Sequence, residues 1–176
     1  MIKSMEEMPF RLPKPVIHFV STSTTISALV TDSGYGKEAY PWTDRMVGRF
    51  PLPAWQRQLV WSVDQKRSFI ESVFQGYDIG SVMINSYEDI GNGITRPMSD
   101  ILIDGQQRVS ALLSFMNNEF DYAGYFWKDL NRREKRRFLE REMGKRITEC
   151  YEEDLLKLTY NRLNFSGVRH EQSEMA

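Results

Sequence analysis

Cysteine and long apolar runs are what this chain has least of. Cys150 is the only cysteine in 176 residues, so the chain can form no internal disulfide and offers no cysteine-based zinc cluster. No apolar stretch approaches the ~20 residues that a membrane-spanning helix needs. The first ten residues also lack the apolar core of a signal peptide. These absences predict a cytoplasmic protein with no membrane partner.

A strong excess of one charge is also missing. The formal net charge is −1, from 23 basic and 24 acidic residues, which gives no general argument for a nucleic-acid partner. The exception is the segment 128–146, where nine basic residues stand against four acidic ones. The favoured interpretation is one solvated helix face with Leu130, Phe138 and Met143 turned inward. The alternative is DNA contact through Arg132, Arg133, Arg136 and Arg137.

The most informative stretch that is present runs from residue 101 to residue 118. Ile101–Ile103 predicts a buried strand, and the apolar spacing i, i+3, i+4, i+7 that begins at Val109 predicts a helix. Between them, Asp104 is expected to cap the helix, and Gly105 permits a positive φ. Arg108 adds a cation at the end of the helix where the macrodipole repels it and favours an anion. The turn therefore predicts a phosphate cradle; the alternative is a capped helix with a surface arginine.

A second cluster lies upstream. The proline-rich stretch Pro51–Arg57 precedes a helix that we expect to begin with a capping box of Ser62 and Gln65 and to end at Gly76. The run from Gly80 to Asn85 then predicts a strand. Residues 87–99, which contain two glycines and a proline, predict a hairpin between this strand and the next.

These elements predict an α/β (α+β) fold in which Val82–Asn85 and Ile101–Ile103 are neighbouring central strands. At this length, roughly 70% of the unfolded surface is buried on folding, which fits one domain. We expect an N-terminal arm and cap over 1–45, a core over 46–120 and a helical extension packed on it over 121–176. In that extension, a short helix over Asp154–Tyr160 leads into Asn161–Asn164.

The order of these motifs resembles the ParB/sulfiredoxin-like superfamily. The closer similarity is to its branch with an Asp-Gly-Gln-Gln-Arg motif, which includes the N-terminal domain of GmrSD-type restriction proteins and SspE-like effectors. The matching positions are Gln56, Arg57, Trp61, 69–72, 104–108, 161–167 and Glu171. The resemblance implies a small mixed sheet flanked by helices. Gln106 and Gln107 replace the phosphate-loop cysteine of sulfiredoxin, which excludes thiol repair.

Arginines and amides from three parts of the chain make up the predicted site. Arg57, Arg108 and Arg162 would suit a polyphosphate, since each offers planar bidentate donors. Asp104, Gln107 and Arg108 are the candidate catalytic residues. The candidate nucleotide-binding residues are Gln56, Arg57, Gly105, Gln106, Asn161, Arg162 and Asn164. Metal ligands stay open, with Asp104 foremost for Mg²⁺ and Asp64 and Glu71 behind it. His170 is a further candidate base.

The resemblance implies a nucleoside triphosphate (NTP) with Mg²⁺ as cofactor, DNA as a further partner, and a bacterial or phage-infected cell as the setting. One interpretation is an NTP hydrolase that nicks DNA or controls a modified-DNA system. A second is a phosphotransferase (kinase) acting on a small molecule or a modified DNA base. A third is a non-enzymatic, nucleotide-gated DNA-binding module. The sequence contains no nuclease motif, so we expect a partner protein to carry that domain.

Overall fold

A four-stranded mixed sheet organises the fold. The computed structural model describes residues 12–31 and 36–165. The elements in chain order are β1 (Val20–Thr25), α1 (Ile26–Val30), β2 (Arg45–Val47), β3 (Phe50–Leu52), α2 (Val63–Gln75), β4 (Ser81–Asn85), β5 (Asp89–Gly91), β6 (Ile94–Thr95), β7 (Leu102–Asp104), α3 (Gln106–Met116), α4 (Arg132–Leu139), β8 (Glu142–Thr148) and α5 (Glu153–Phe165). Short 3₁₀ turns lie at Lys37–Ala39 and Trp127–Asp129.

The strand order is β1-β8-β4-β7. The β4 strand pairs antiparallel with β7 and parallel with β8, and β8 pairs antiparallel with β1. The prediction that β4 and β7 are neighbours is therefore confirmed. The prediction that both are central is wrong for β7, which lies at the edge of the sheet. Gln56 Nε2 donates to Leu102 O on this edge, and the candidate site begins at the turn that follows β7.

Both faces of the sheet are covered. Val82 and Ile84 of β4 lie in the larger apolar core, among residues of α2 and α3. Met83, between them, points to the opposite face and packs in a second cluster with Ile103 and with Leu156 of α5. This alternation is the period-2 pattern of a strand. Burial on both faces also explains why β4 and β7 have nearly continuous apolar sequences.

The α2 helix has the ends that its sequence predicts. Ser62 Oγ accepts a hydrogen bond from Gln65 N, and Gln65 Oε1 accepts one from Ser62 N, which completes a capping box. The helix ends at Gly76, whose φ of +89° is in the left-handed region. The predicted hairpin is confirmed as well, with β5 and β6 as its two strands.

The basic segment does not form one helix. The α4 helix ends at Leu139, and Lys145 and Arg146 lie on β8, between β1 and β4. A charged sequence is tolerated there because β8 has backbone hydrogen-bonding partners on both sides, and this tertiary pairing overrides weak strand propensity. The inward positions are confirmed, since Phe138 and Met143 are buried and Leu130 packs against the core.

The sheet takes strands from all three predicted segments. The N-terminal segment supplies β1, the core supplies β4 and β7, and the C-terminal extension supplies β8 as well as helices. Among the helices that the structure describes, none is both long enough and apolar enough to cross a bilayer. Gly167, His170 and Glu171 lie outside the described residues, as do residues 1–11 of the predicted arm.

Candidate functional site

The turn between β7 and α3 depends on a glycine. Gly105 is the N-cap of α3 and has a φ of +104°. A Cβ atom built on it would lie 2.7 Å from Cγ1 of Val82, so any other residue would collide with the core strand. The predicted positive φ is thus confirmed, and the tight packing brings the first turn of α3 against β4.

Asp104 does not cap the helix, so that prediction is wrong. No side chain of the described residues caps α3. The Asp104 carboxylate instead accepts a hydrogen bond from Arg108 Nη2 at 2.8 Å, because residues four apart face each other across the helix start. Arg108 Nη2 also donates to Ser81 O at 2.6 Å. The arginine is therefore tied to the sheet as well as to the turn, and its side chain is only 25% exposed.

The two glutamines of the turn hold the proline loop, residues 53–61. Gln107 Oε1 accepts hydrogen bonds from the backbone N–H groups of Val60 and Trp61, at 3.0 and 3.2 Å. Its Nε2 donates to Gln58 O, while Gln106 Nε2 donates to Arg57 O, each at 3.1 Å. Both side chains are buried. Their amides thus stabilise the loop, and direct contact with a ligand stays a prediction.

Arg57 is held by its backbone and not by its side chain. Its N–H donates to Tyr160 Oη at 3.1 Å, and its carbonyl accepts from Arg45 Nη2 and from Gln106. The guanidinium group makes no hydrogen bond or ion pair with any residue that the structure describes. An unpaired guanidinium group is available for charge-assisted hydrogen bonds to an anion.

The α5 helix contributes part of what was predicted. Asn164 lies at the cleft and its Nδ2 donates to Tyr160 O at 2.9 Å. Asn161 and Arg162 are exposed on the same helix and are not among the residues that line the cleft. Tyr160 was missed by the sequence analysis, although its position four residues before Asn164 places it one helical turn away on the same face.

These elements enclose one cleft, which holds about 60 Å³. Its lining residues are Arg57, Trp61, Ile103, Asp104, Gly105, Gln106, Gln107, Arg108, Tyr160 and Asn164. Gln56 is not among them; it is 3% exposed, and its Nε2 donates to Leu102 O. The volume suffices for a few waters or one phosphoryl group, so a longer phosphate chain would extend toward solvent.

The cleft has few groups that bind a metal. Asp104 is the only carboxylate among the lining residues, and no cluster of three His, Cys, Asp or Glu side chains occurs within residues 12–31 and 36–165. Asp64 instead pairs with Arg67, and Glu71 accepts from Gln75. Mg²⁺ commonly binds through one or two carboxylates, substrate phosphates and water. The donor set therefore fits Mg²⁺ only when phosphates supply most of its ligands.

The four arginines of α4 and Arg141, which follows the helix, form a separate basic face, defined by Arg132, Arg133, Arg136, Arg137 and Arg141. Arg137 donates to Phe74 O at 3.1 Å, and Arg141 donates to Gly76 O and Tyr77 O at 2.7 and 2.6 Å. Arg136 pairs with Glu140. Only Arg132 and Arg133 are exposed with no side-chain partner among the described residues. DNA contact there stays a prediction.

A buried polar cluster lies elsewhere in the fold. Tyr40 Oη donates to Asp100 Oδ2 at 3.1 Å, and Arg49 lies 3.9 Å from the other oxygen. Burial raises the pKa of Asp100, and the nearby Arg49 charge opposes this shift only in part. Burial, together with the Asp100 charge, also raises the pKa of Tyr40. Neither residue lines the cleft, so we assign this cluster to the scaffold.

Comparison with known proteins gives one finding. The family model described as the N-terminal domain of the GmrSD restriction endonuclease matches residues 43–175. The matched region contains the proline loop, the β7–α3 turn and α5, which together build the cleft. The match indicates a role in a DNA restriction system. Neither the curated proteins nor the solved structures give a significant match.

Proposed function

The chain belongs to the N-terminal domain family of GmrSD restriction endonucleases, and from this premise we propose that its cleft binds and hydrolyses a nucleoside triphosphate. The hydrolysis would serve a system that restricts modified DNA. A nuclease domain, on the same chain or on a partner protein, would then cut the DNA. The cleft would set when that cutting takes place.

One observation carries the proposal: Arg57 lines the cleft that the β7–α3 turn forms, and its guanidinium group has no partner among the described residues. Ordering the Arg57 side chain on an anion would cost about 0.5–1.5 kcal/mol, which is less than the ~1.5–3 kcal/mol that a hydrogen bond between charged groups contributes. The first turn of α3 adds free backbone N–H groups and the positive end of the helix dipole. Together these donors favour a phosphate chain.

Asp104 and Arg108 are the groups placed to assist hydrolysis. Bound phosphates would compete with Asp104 for Arg108, and the released carboxylate would be available to Mg²⁺ or to the attacking water. The water would then displace the terminal phosphate, giving nucleoside diphosphate and inorganic phosphate. Arg108 would neutralise the charge that develops on the phosphate oxygens.

Titration calorimetry with a non-hydrolysable nucleoside triphosphate and Mg²⁺ tests the binding step. Arg57→Ala should lower affinity about 10- to 100-fold, because a charge-assisted hydrogen bond is worth ~1.5–3 kcal/mol. Arg132→Ala is the matched control, since Arg132 is also exposed and unpaired but lies outside the cleft. Equal affinity for wild type and Arg57→Ala would contradict the proposed phosphate site.

Product analysis with radiolabelled triphosphate, with and without DNA, tests the chemical step. Release of inorganic phosphate supports hydrolysis, and Asp104→Asn should then slow release more than it weakens binding. Label that appears on a DNA base or a small hydroxyl compound would instead make the protein a phosphotransferase. Binding without any turnover would leave a non-enzymatic nucleotide gate. The ion pair between Asp104 and Arg108 supports the non-enzymatic alternative, because a carboxylate that is held by arginine is not free to assist hydrolysis.

The exposed arginines of the basic face are our candidate DNA contacts. Arg132 and Arg133 are available for phosphates, whereas Arg136 and Arg137 already have protein partners. The double variant Arg132→Ala/Arg133→Ala should lower DNA affinity and reduce the slope of log affinity against log salt by about 2, one for each lost phosphate contact. An unchanged slope in a salt series would exclude this face.

A further inference from the structure

Trp61 borders two depressions on the surface. Trp61 is among the residues that line the cleft, and it is also among those that line a groove of about 300 Å³ along α2. The groove is completed by Gln65, Ser68, Phe69 and Ser72. On α2, Ser68 and Phe69 lie three and four residues after Gln65, and Ser72 lies four and three residues after them, so the four positions share one face of the helix. The small phosphate cleft therefore opens beside a roomier groove, and Trp61 is the residue that the two share.

The indole is held in place from two sides. The backbone N–H of Trp61 donates to Gln107 Oε1 at 3.2 Å, which ties the residue to the β7–α3 turn. Its ring packs on Phe69 with a centroid distance of 5.6 Å, and it is only partly buried. A fixed, partly exposed aromatic ring loses little freedom when a second flat ring stacks on it.

Two polar groups along the groove have unused hydrogen-bonding capacity. Gln65 Oε1 accepts from Ser62 N in the capping box, while its Nε2 has no partner among the described residues. Ser68 Oγ likewise makes no hydrogen bond in the part of the chain that the structure describes, and Ser72 donates to the Ser68 carbonyl. The groove thus combines an aromatic face with a donor and a hydroxyl at its edge, which is the chemistry that recognises a nucleobase.

We propose that Trp61 is the stacking platform for the base of the nucleotide whose phosphates occupy the cleft, with Gln65 and Ser68 reading the edge of that base. This inference rests on the proposed function. The groove and the cleft share Trp61, so one nucleotide spans both, with its phosphates at Arg57 and its base on the indole. The specificity of the domain for its nucleotide is then decided on α2 and not in the phosphate turn.

The test compares two probes on the full chain: a nucleoside triphosphate and inorganic tripolyphosphate. Trp61→Leu should lower affinity for the nucleotide about 5-fold or more, because the mutation removes the binding free energy that a base gains by stacking on an aromatic side chain. Affinity for tripolyphosphate should stay unchanged, because the loop remains held by Gln107. Trp61→Phe should recover much of the loss. Leu59→Ala, an exposed apolar neighbour in the same loop, is the control.

Several outcomes would overturn the inference. If Trp61→Leu weakens both probes equally, the residue only holds the loop. If wild type binds tripolyphosphate as tightly as the nucleotide, the base makes no contact, although the phosphate cleft itself stands. If wild type binds neither probe, the proposed function fails together with the inference.

Fluorescence gives a second readout that a purely structural role would not change. The chain has four tryptophans, so the signal of Trp61 is isolated by difference. Nucleotide should quench wild type and should quench Trp61→Phe much less, whereas tripolyphosphate should quench neither strongly. Equal quenching of the two proteins by nucleotide would contradict stacking on Trp61.

Discussion

The cleft and the basic face differ less in their unpaired arginines, one against two among the described residues, than in their total number of arginines. The basic face has five arginines, yet Arg137 and Arg141 hold carbonyl groups near the end of α2 and Arg136 holds Glu140. The cleft has two, and one of them, Arg57, is left unpaired by a loop whose backbone is fixed. The number of arginines therefore says little about anion binding; what matters is which guanidinium groups lack an internal partner.

A pair of glycines gives the largest expected contrast between the two regions. Gly105 in the cleft and Gly76 beside the basic face both have positive φ, but a Cβ at Gly105 would lie 2.7 Å from Val82 Cγ1, and one at Gly76 would meet nothing within 4 Å. Gly76→Ala should cost about 1–2 kcal/mol from backbone strain alone. Gly105→Ala should cost a further ~1–3 kcal/mol from overpacking. Urea unfolding of both variants measures the difference, and equal costs would contradict tight packing at the turn.

Removal of the Gln107 amide should give the next largest loss of stability. Gln107→Leu deprives Val60 N, Trp61 N and Gln58 O of their partners, and should lower the free energy of unfolding by about 2–3 kcal/mol. It should also speed hydrogen exchange at the amides of Val60 and Trp61. Arg136→Ala, which removes an exposed pair on the basic face, is the control and should leave stability unchanged. A proline loop that stays protected in Gln107→Leu would show that other contacts hold it.

Arg108→Ala should affect binding and folding together. Arg108 bridges Asp104 and the Ser81 carbonyl, so its loss should cost about 1–2 kcal/mol of stability. A lost phosphate contact should weaken nucleotide binding by a further ~1.5–3 kcal/mol. Arg57→Ala, by contrast, should weaken binding with stability unchanged. Thermal unfolding and calorimetry on both variants, with Arg133→Ala as control, separate the two roles. A stable, fully binding Arg108→Ala would leave only the surface-arginine interpretation.

The smallest effect concerns a carboxylate that lies outside both regions. Because burial raises the pKa of Asp100, protonation favours the folded state. This stabilisation is complete below the pKa of Asp in the unfolded chain and is lost as pH rises through the higher, folded pKa. The stability of wild type relative to Asp100→Asn should thus be greater at about pH 4.5 than at about pH 7.5. Urea unfolding at both pH values checks the sign, and a pH-independent difference would contradict the raised pKa.

Local signals in the sequence predicted the parts of the fold that local chemistry determines. The capping box at Ser62, the glycine stop at Gly76 and the turn at Gly105 all depend on residues within a few positions of one another. The β8 strand could not be predicted in this way, because its charged residues are held by backbone pairing with strands that are distant in sequence. In the site, motif order brought Arg57, Arg108 and Asn164 into consideration. The Arg108–Asp104 pair and the loop-holding role of the glutamines required the distances.

The position of β8 has a consequence for how the protein is made. It pairs with β1 in the register Val20↔Ile147, so β1, the first of the described strands, is synthesised 127 residues before its partner. At ribosomal speeds this delay is on the order of ten seconds. During that time β1 is an unpaired edge, and edges of this kind recruit other chains when they are apolar. Its sequence, Val20 followed by five serines and threonines, gives little apolar surface for such association. A hydroxyl-rich strand of this kind offers little surface for aggregation while its partner is still being synthesised.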